Sequence, residues 1–420
     1  MDFTNHPCFN SEVRHTAGRI HLPVAKGCNI QCNFCNRKYD CVNENRPGVC
    51  SAVLSPAQAA AYLDAALEKI PHIAVVGIAG PGDPFANPDE TLKTLRLVRE
   101  RCPEKILCLA TNGLGLPDYI DQIAEMNISH VTITVNAIDP GIGAKIYAWV
   151  RFGPKVYRGL DGARLLLQRQ TESIKLLKEK NITVKINTVI IPGVNDNHAA
   201  EVAAYTARLG ADIQNCMPMV HTEGSAFEHI PPDSMENIRA QRILAGKHIP
   251  QMSHCARCRA DAAGFIGNEN SAETQTLLAE SALVKATKEK PYVAAVSMEG
   301  LFVNRHLGDA PGVWIYGLEN GAAILREQRP APAPGLGDAR WEALADTLAD
   351  CCALLVNRCG ENPKKILEER GLPVVTAEGL IAEIALPIME GKTIPKIFSV
   401  SAAPYGAGAS CNGKGMGCGS

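Results

Sequence analysis

Residues 21–41 read HLPVAKGCNIQCNFCNRKYDC. The run Ile20–Ala25 has the apolar, branched character of a short buried strand. Directly after it comes Cys28-x-x-x-Cys32-x-x-Cys35, with Cys41 a little further on. Three thiolates in one short loop can hold three irons of a 4Fe–4S cube and leave the fourth iron open to a small molecule. Structural zinc is the bland reading of the same thiols, but zinc ordinarily closes its shell with a fourth protein ligand.

The surrounding pattern predicts the scaffold. Further apolar runs are Ile73–Ala79, Ile106–Ala110, Val131–Val135, Thr183–Ile191 and Asp212–Met219, each rich in Val, Ile, Thr or Leu. Helical patterns fall between them: one opened by Ser55-Pro56-Ala57-Gln58, a capping-box start, then Pro88–Arg101, Gly162–Lys180, Asn195–Leu209 and Ser234–Gly246. Strand–helix alternation implies parallel strands and right-handed crossovers. Six such units are too few to close an eight-fold barrel, so the expected α/β fold is a partial (βα)6 TIM-like barrel, residues 1–269. Chemistry in such folds gathers at the C-terminal ends of the strands.

At 420 residues and 45.0 kDa the chain has room for two or three domains. Lys+Arg is 42 against 44 Asp+Glu, a net charge of −2, which gives no basic excess for nucleic acid. No apolar run approaches the roughly 18 residues of a membrane helix, and MDFTNHPCFN lacks the layout of a secretory signal. Of 16 cysteines, Cys8, Cys28, Cys32, Cys35, Cys41 and Cys50 crowd the first 50 residues. A long chain with local cysteine clusters points to metal ligation in a reducing cytoplasm rather than to disulfides. Cys102 and Cys216 read as small buried hydrophobes.

The triad, with Phe34 before its third cysteine, resembles the radical S-adenosylmethionine (SAM) superfamily. That resemblance implies a SAM-binding 4Fe–4S cluster on Cys28, Cys32 and Cys35. Gly80-Pro81-Gly82-Asp83-Pro84 ends the second strand where that family carries a Gly-rich turn for the methionyl amino group, so Gly80, Gly82 and Asp83 are expected at SAM. Thr111-Asn112-Gly113 and Asn136 end the next two strands as polar contacts to SAM, or as turn chemistry.

Five thiols remain: Cys8 (in His6-Pro7-Cys8), Cys41, Cys108, Cys255 and Cys258. They exceed what one cluster requires, and with His6 or His21 added they would leave some irons of two more cubes weakly held, as suits clusters that must leave. The segments Cys28–Val49, Val131–Arg151, Tyr157–Gln170 and Ile191–Asp196 also resemble the radical SAM enzymes of nitrogenase cofactor biosynthesis. That resemblance implies fusion of two 4Fe–4S clusters with a SAM-derived carbide and a sulfur. Cys8, Cys41, Cys108, Cys255 and Cys258 would then hold the substrate clusters, with Glu44 and Arg46 as catalytic residues nearby. A radical SAM enzyme with an auxiliary cluster and an organic substrate is one alternative; a non-catalytic Fe–S scaffold is another. The first has no use for Cys8, Cys41 and Cys108, and the second has none for an open-iron triad.

Residues 270–289 are polar, lack Gly and Pro, and read as a partly helical linker. A smaller α/β domain is expected over 290–397, with strands Tyr292–Met298, Val313–Leu318, Ala322–Arg326, Ala353–Val356 and Pro373–Val375 and helices Arg340–Asp350, Asn362–Arg370 and Ala377–Met389. It resembles the cofactor-carrier domains of the NifX and NafY type. Their His-Phe-Gly loop is His306-Leu307-Gly308 here, and His306 reads either as a cluster-handling or as a capping histidine. The tail 398–420, rich in Gly, Ala and Ser, is expected to be mobile and carries Cys411 and Cys418. Expected partners are an Fe–S cluster donor, a cofactor carrier or maturation scaffold, and an electron donor such as ferredoxin or flavodoxin; nucleic acid and membrane are not expected.

Overall fold

A computed structural model of the chain describes residues 6–45, 48–50, 52–269 and 272–399. It divides into two compact units with the boundary between Ala282 and Leu283. In the first unit, β1 (Gly18–His21) leads to β2 (Ile30–Cys32), α1 (Pro56–Lys69), β3 (Ile73–Ile78), α2 (Pro88–Arg101) and β4 (Ile106–Thr111). There follow α3 (Ile120–Glu125), β5 (His130–Thr134), α4 (Pro140–Ile146), β6 (Tyr147–Phe152), β7 (Lys155–Tyr157) and α5 (Gly159–Glu179). The unit ends with β8 (Thr183–Ile190), α6 (Ala199–Arg208), β9 (Ile213–Pro218), α7 (Met235–Ala245), β10 (Ala263–Phe265), β11 (Asn268–Glu269) and α8 (Ala272–Ala282).

The main sheet runs β11-β10-β1-β3-β4-β5-β8-β9. Its six strands from β1 to β9 are parallel and in chain order, which puts every crossover helix on one face. This is the partial barrel expected from the strand–helix alternation, with β10 and β11 added antiparallel at one edge. Between sheet and helices lies the apolar core, including Leu63, Leu95, Leu107, Val184 and Ile186, and Cys102 and Cys216 are buried in it. The capping box at α1 forms as expected: Ser55 Oγ accepts from the Gln58 amide at 3.4 Å and Gln58 Oε1 from the Ser55 amide at 2.9 Å.

The other face of the sheet is polar. Register places His21, Gly77, Cys108 and His130 side by side across four strands. Ala110, Thr132 and Lys185 form the next row, and Thr134, Asn187 and Asn215 the one after. Gly77 is a glycine because a Cβ there would stand 2.8 Å from Cys108 Sγ and 3.2 Å from His21 Cδ2.

Two features depart from expectation. The triad loop carries its own strand, β2, which pairs with β6 (Ile30 with Val150, Cys32 with Tyr147), and β7 extends this small sheet. The stretch read as a linker from 270 contains α8, whose Leu278 is buried in the first unit's core. Gln58 donates to the Ala282 carbonyl at 2.8 Å, so the helical part of that stretch belongs to the first unit.

In the second unit, β12 (Tyr292–Ala295), β13 (Phe302–Val303), β14 (Gly312–Glu319), β15 (Ala322–Pro330) and α9 (Asp338–Thr347) precede β16 (Cys351–Val356). Then come α10 (Glu361–Glu369), β17 (Val374–Thr376), β18 (Gly379–Leu380) and α11 (Ile381–Met389). The five-stranded sheet β15-β14-β12-β16-β17 is parallel on one side and antiparallel on the other. The last helix starts at Ile381 rather than Ala377 because Gly379 and Leu380 pair with Val303 and Phe302 first.

Candidate active site

The first unit encloses two adjoining cavities on the polar face of its sheet. The first has a volume of about 390 Å³ and is lined by Cys28, Cys32, Cys35 and Cys41. Asn43 Nδ2 stands 3.5 Å from Cys32 Sγ and 3.7 Å from Cys41 Sγ, and Asn112 Nδ2 stands 3.9 Å from Cys28 Sγ. Burial pushes the Cys28 thiol up to about 12 and raises those of Cys32, Cys35 and Cys41. Such thiols keep their protons until a metal displaces them.

Beside them, Gly82 and Asp83 line the same cavity. A Cβ on Gly82 would fall 1.8 Å from the Gly27 carbonyl oxygen, so glycine is required for the turn to pack against the triad loop. Asp83 is buried, and its carboxylate accepts from the Thr111 hydroxyl (2.9 and 3.0 Å), the Asn112 amide (2.6 Å) and the Phe85 amide (2.9 Å). This fixes the ends of two strands and aims Asn112, whose side chain also donates to Asn29 Oδ1 at 2.6 Å.

The second cavity, about 650 Å³, lies at the level of His21, Cys108 and His130. Two irregular segments close it. One brings His6, Cys8 and Phe9, the other Met252, Cys255 and Cys258. His254 Nε2 joins the segments by donating to the Pro7 carbonyl at 2.9 Å. Arg19, fully buried, donates to Cys258 Sγ from Nε (3.1 Å) and Nη2 (2.6 Å) and to the Gly264 carbonyl from Nη1 (2.9 Å). His21 Nδ1 donates to the Arg259 carbonyl at 2.9 Å, which makes Nε2 the nitrogen a metal could take. Burial brings its pKa down to about 4, so the ring is neutral at pH 7. His6 is buried, with no hydrogen-bond partner at Nε2. Its Nδ1 accepts from the Cys8 amide at 3.2 Å, so a neutral His6 keeps its proton on Nε2 and ligation there means giving up that contact.

Glu44 and Ala110 line both cavities. The Glu44 carboxylate accepts from the Thr134 hydroxyl at 2.5 Å and from Asn187 Nδ2 at 2.8 Å. Burial raises its pKa to about 7. Both cavities suit iron–sulfur groups in their chemistry: soft donors line each, and buried N–H groups of Asn43, Asn112 and Arg19 face the sulfurs.

Residues 22–206 match the Radical SAM superfamily, and residues 290–391 match the family described as dinitrogenase iron-molybdenum cofactor. Over 422 residues the chain is 51% identical to the FeMo cofactor biosynthesis protein NifB of Chlorobaculum tepidum, covering 100% of this chain and 99% of that protein. It is 38% identical to NifB of Klebsiella pneumoniae (87% of this chain, 86% of that one) and 39% identical to NifB of Bradyrhizobium diazoefficiens (88% and 83%). The chain belongs to the NifB family. It is a radical SAM enzyme of FeMo cofactor biosynthesis with a C-terminal NifX-like domain.

This NifB-family fold separates the residues singled out by sequence. The radical SAM match contains the triad and Cys108, whereas Cys8, Cys255 and Cys258 lie outside it. The second cavity is thus assembled partly from segments flanking the radical SAM core. Cys41, grouped by sequence with the substrate thiols, lines the triad's cavity instead and does not line the one that holds Cys108. Gly80 lines neither cavity; a Cβ on it would meet Asn45 and Ala260. Asn136 is fully buried, donates to Asn43 Oδ1 (3.1 Å), accepts from the Val189 amide (2.8 Å) and lines neither cavity, so it acts as a brace behind Asn43. Arg46, Cys411 and Cys418 lie outside the described residues. His306 Nδ1 accepts from the Gly308 amide at 3.0 Å, the local capping role. Sequence reasoning missed Lys185, Arg19, Asn43, Thr134 and Asn187. The available signal was a Lys and an Asn two residues apart in a strand that is otherwise apolar or Thr.

Proposed function

We propose that the enzyme fuses two 4Fe–4S substrate clusters with a SAM-derived carbide and a sulfur, making the precursor of about eight irons from which the nitrogenase cofactor is built. The observation that carries this reading is the pair of adjoining cavities: one contains the triad, the other a separate set of four thiols, with one carboxylate in their shared wall. Cys28, Cys32 and Cys35 would hold the SAM cluster, which when bound supplies the electron that splits SAM into methionine and a 5′-deoxyadenosyl radical. Cys41 from the first cavity and Cys8, Cys108, Cys255 and Cys258 from the second, aided by His21 or His6, are the ligands assigned to the substrate clusters.

The chain's own groups position and deprotonate. Asp83 orders Asn112 beside the triad. Turning a methyl carbon into a carbide removes more hydrogen than one radical abstraction accounts for, so protons must leave as well. Glu44, held by Thr134 and Asn187 between the cavities and poised near neutral pH, is the base we assign to that step, with Arg46 beside it in sequence. An Fe–S cluster donor, a ferredoxin or flavodoxin and a carrier or scaffold for the product complete the scheme, which we place in the cytoplasm. Iron and sulfide analysis with EPR, with and without SAM, tests the cluster count. The reading predicts about twelve irons per chain and one signal perturbed by SAM; about four irons would refute it.

A further inference from the structure

Lys185 stands out among the buried cations of the first unit. It is 8% exposed, lines the second cavity, and makes no hydrogen bond or ion pair among the described residues. The aromatic ring recorded near its ammonium is that of Phe9, at 5.9 Å. The other buried cation among this unit's described residues, Arg19, donates to Cys258 Sγ and the Gly264 carbonyl. Glu44, the carboxylate lining the cavity, attracts the ammonium without a hydrogen bond to it and takes its own hydrogen bonds from Thr134 and Asn187. Strand register sets Lys185 beside Thr132, one row from Cys108 and His130, so the ammonium belongs to the floor formed by the sheet. The thiols of Cys8, Cys108, Cys255 and Cys258 line the same cavity.

An ammonium removed from water with its own hydrogen bonds unmade is costly, and a cavity that retains one is built to receive an anion. Thiolate-ligated iron–sulfur clusters carry net negative charge, and their sulfides accept hydrogen bonds. We propose that Lys185 is the positioning residue of the second cavity: its ammonium binds the sulfide face of an anionic iron–sulfur cluster and selects such polyanions over neutral or cationic metal species. The inference rests on the two-cavity reading above and adds the residue that recognises the cluster's charge. It also gives the cavity a reason to load an assembled cluster rather than bare ferrous ion, which the ammonium repels.

The test uses the full chain reconstituted with ferrous iron and sulfide, as the parent, Lys185→Met and Lys185→Arg. Lys185→Met is expected to hold the second-cavity iron about 10–100-fold more weakly, as other residues that support a metal ligand shell do. The iron it retains should have a more negative reduction potential, since a cation that favours the reduced cluster is gone. Lys185→Arg should restore both retention and potential, and the SAM-perturbed signal should be unchanged in both variants. Equal retention and potential in Lys185→Met and parent would overturn the proposal, as would a Lys185→Arg protein that keeps the SAM-perturbed signal without restoring the other cluster. If Lys185→Met loses the SAM-perturbed signal too, its fold is disturbed and Lys185→Arg decides alone: parent-like potential supports the proposal, a shifted one overturns it. A parent that holds no iron beyond the SAM cluster would refute the two-cavity reading and this inference together. A parent that holds it, beside a Lys185→Met protein that holds it equally, would refute this inference alone.

Discussion

At the scale of single residues, the two cavities make separable predictions. Cys32→Ala removes one of three local ligands and should abolish 5′-deoxyadenosine formation while second-cavity iron remains. Cys108→Ala should do the reverse, with second-cavity iron falling and the SAM-perturbed EPR signal persisting. Both are read from iron content, EPR and 5′-deoxyadenosine yield on the same samples; parent-rate SAM cleavage by Cys32→Ala would show the triad assignment to be wrong. That the triad's three cysteines share a cavity was legible because they are close in sequence, and spacing alone brings them together. The cavity that Cys41 lines was not legible, for the opposite reason. Its distance from the triad is short in sequence, but which cavity its sulfur enters depends on Asn43, Asn136 and Val189, contacts that span the barrel. Gly82 was noticed, yet for a contact with SAM; the close approach of the Gly27 carbonyl shows a packing reason that no local pattern carries.

At the scale of elements, the repeated strand–helix pattern was readable because each unit is locally periodic. The β2–β6–β7 sheet escaped because β2 lies more than a hundred residues from its partner β6 and all three strands are short. Helix α8 was partly anticipated, but its seat against the first unit was not, since a polar composition conceals Leu278, the leucine it buries there. Leu278→Ala should destabilise the first unit by about 2–5 kcal/mol in a denaturant or thermal melt, as a buried Leu truncation does. By the same argument a chain ending at Glu289 should keep its first-unit iron and SAM cleavage, whereas one ending at Glu269 should lose stability by at least the Leu278 contribution. Equal melting of the two truncated chains would show that α8 contributes nothing to that unit.

At the scale of the whole molecule, a radical SAM core is extended at both ends by segments that contribute thiols, and a NifX-like unit follows. No helix among the described residues is long and apolar enough to cross a membrane. The central claim is that carbon from SAM enters the substrate cluster, and the most direct measurement follows that carbon. The reconstituted full chain is given SAM labelled in its methyl group, and the iron–sulfur product is separated from the small molecules. The account predicts label retained in a species of about eight irons, with one labelled carbon per species. Label recovered entirely in methionine and unreacted SAM, with second-cavity iron present, would contradict it.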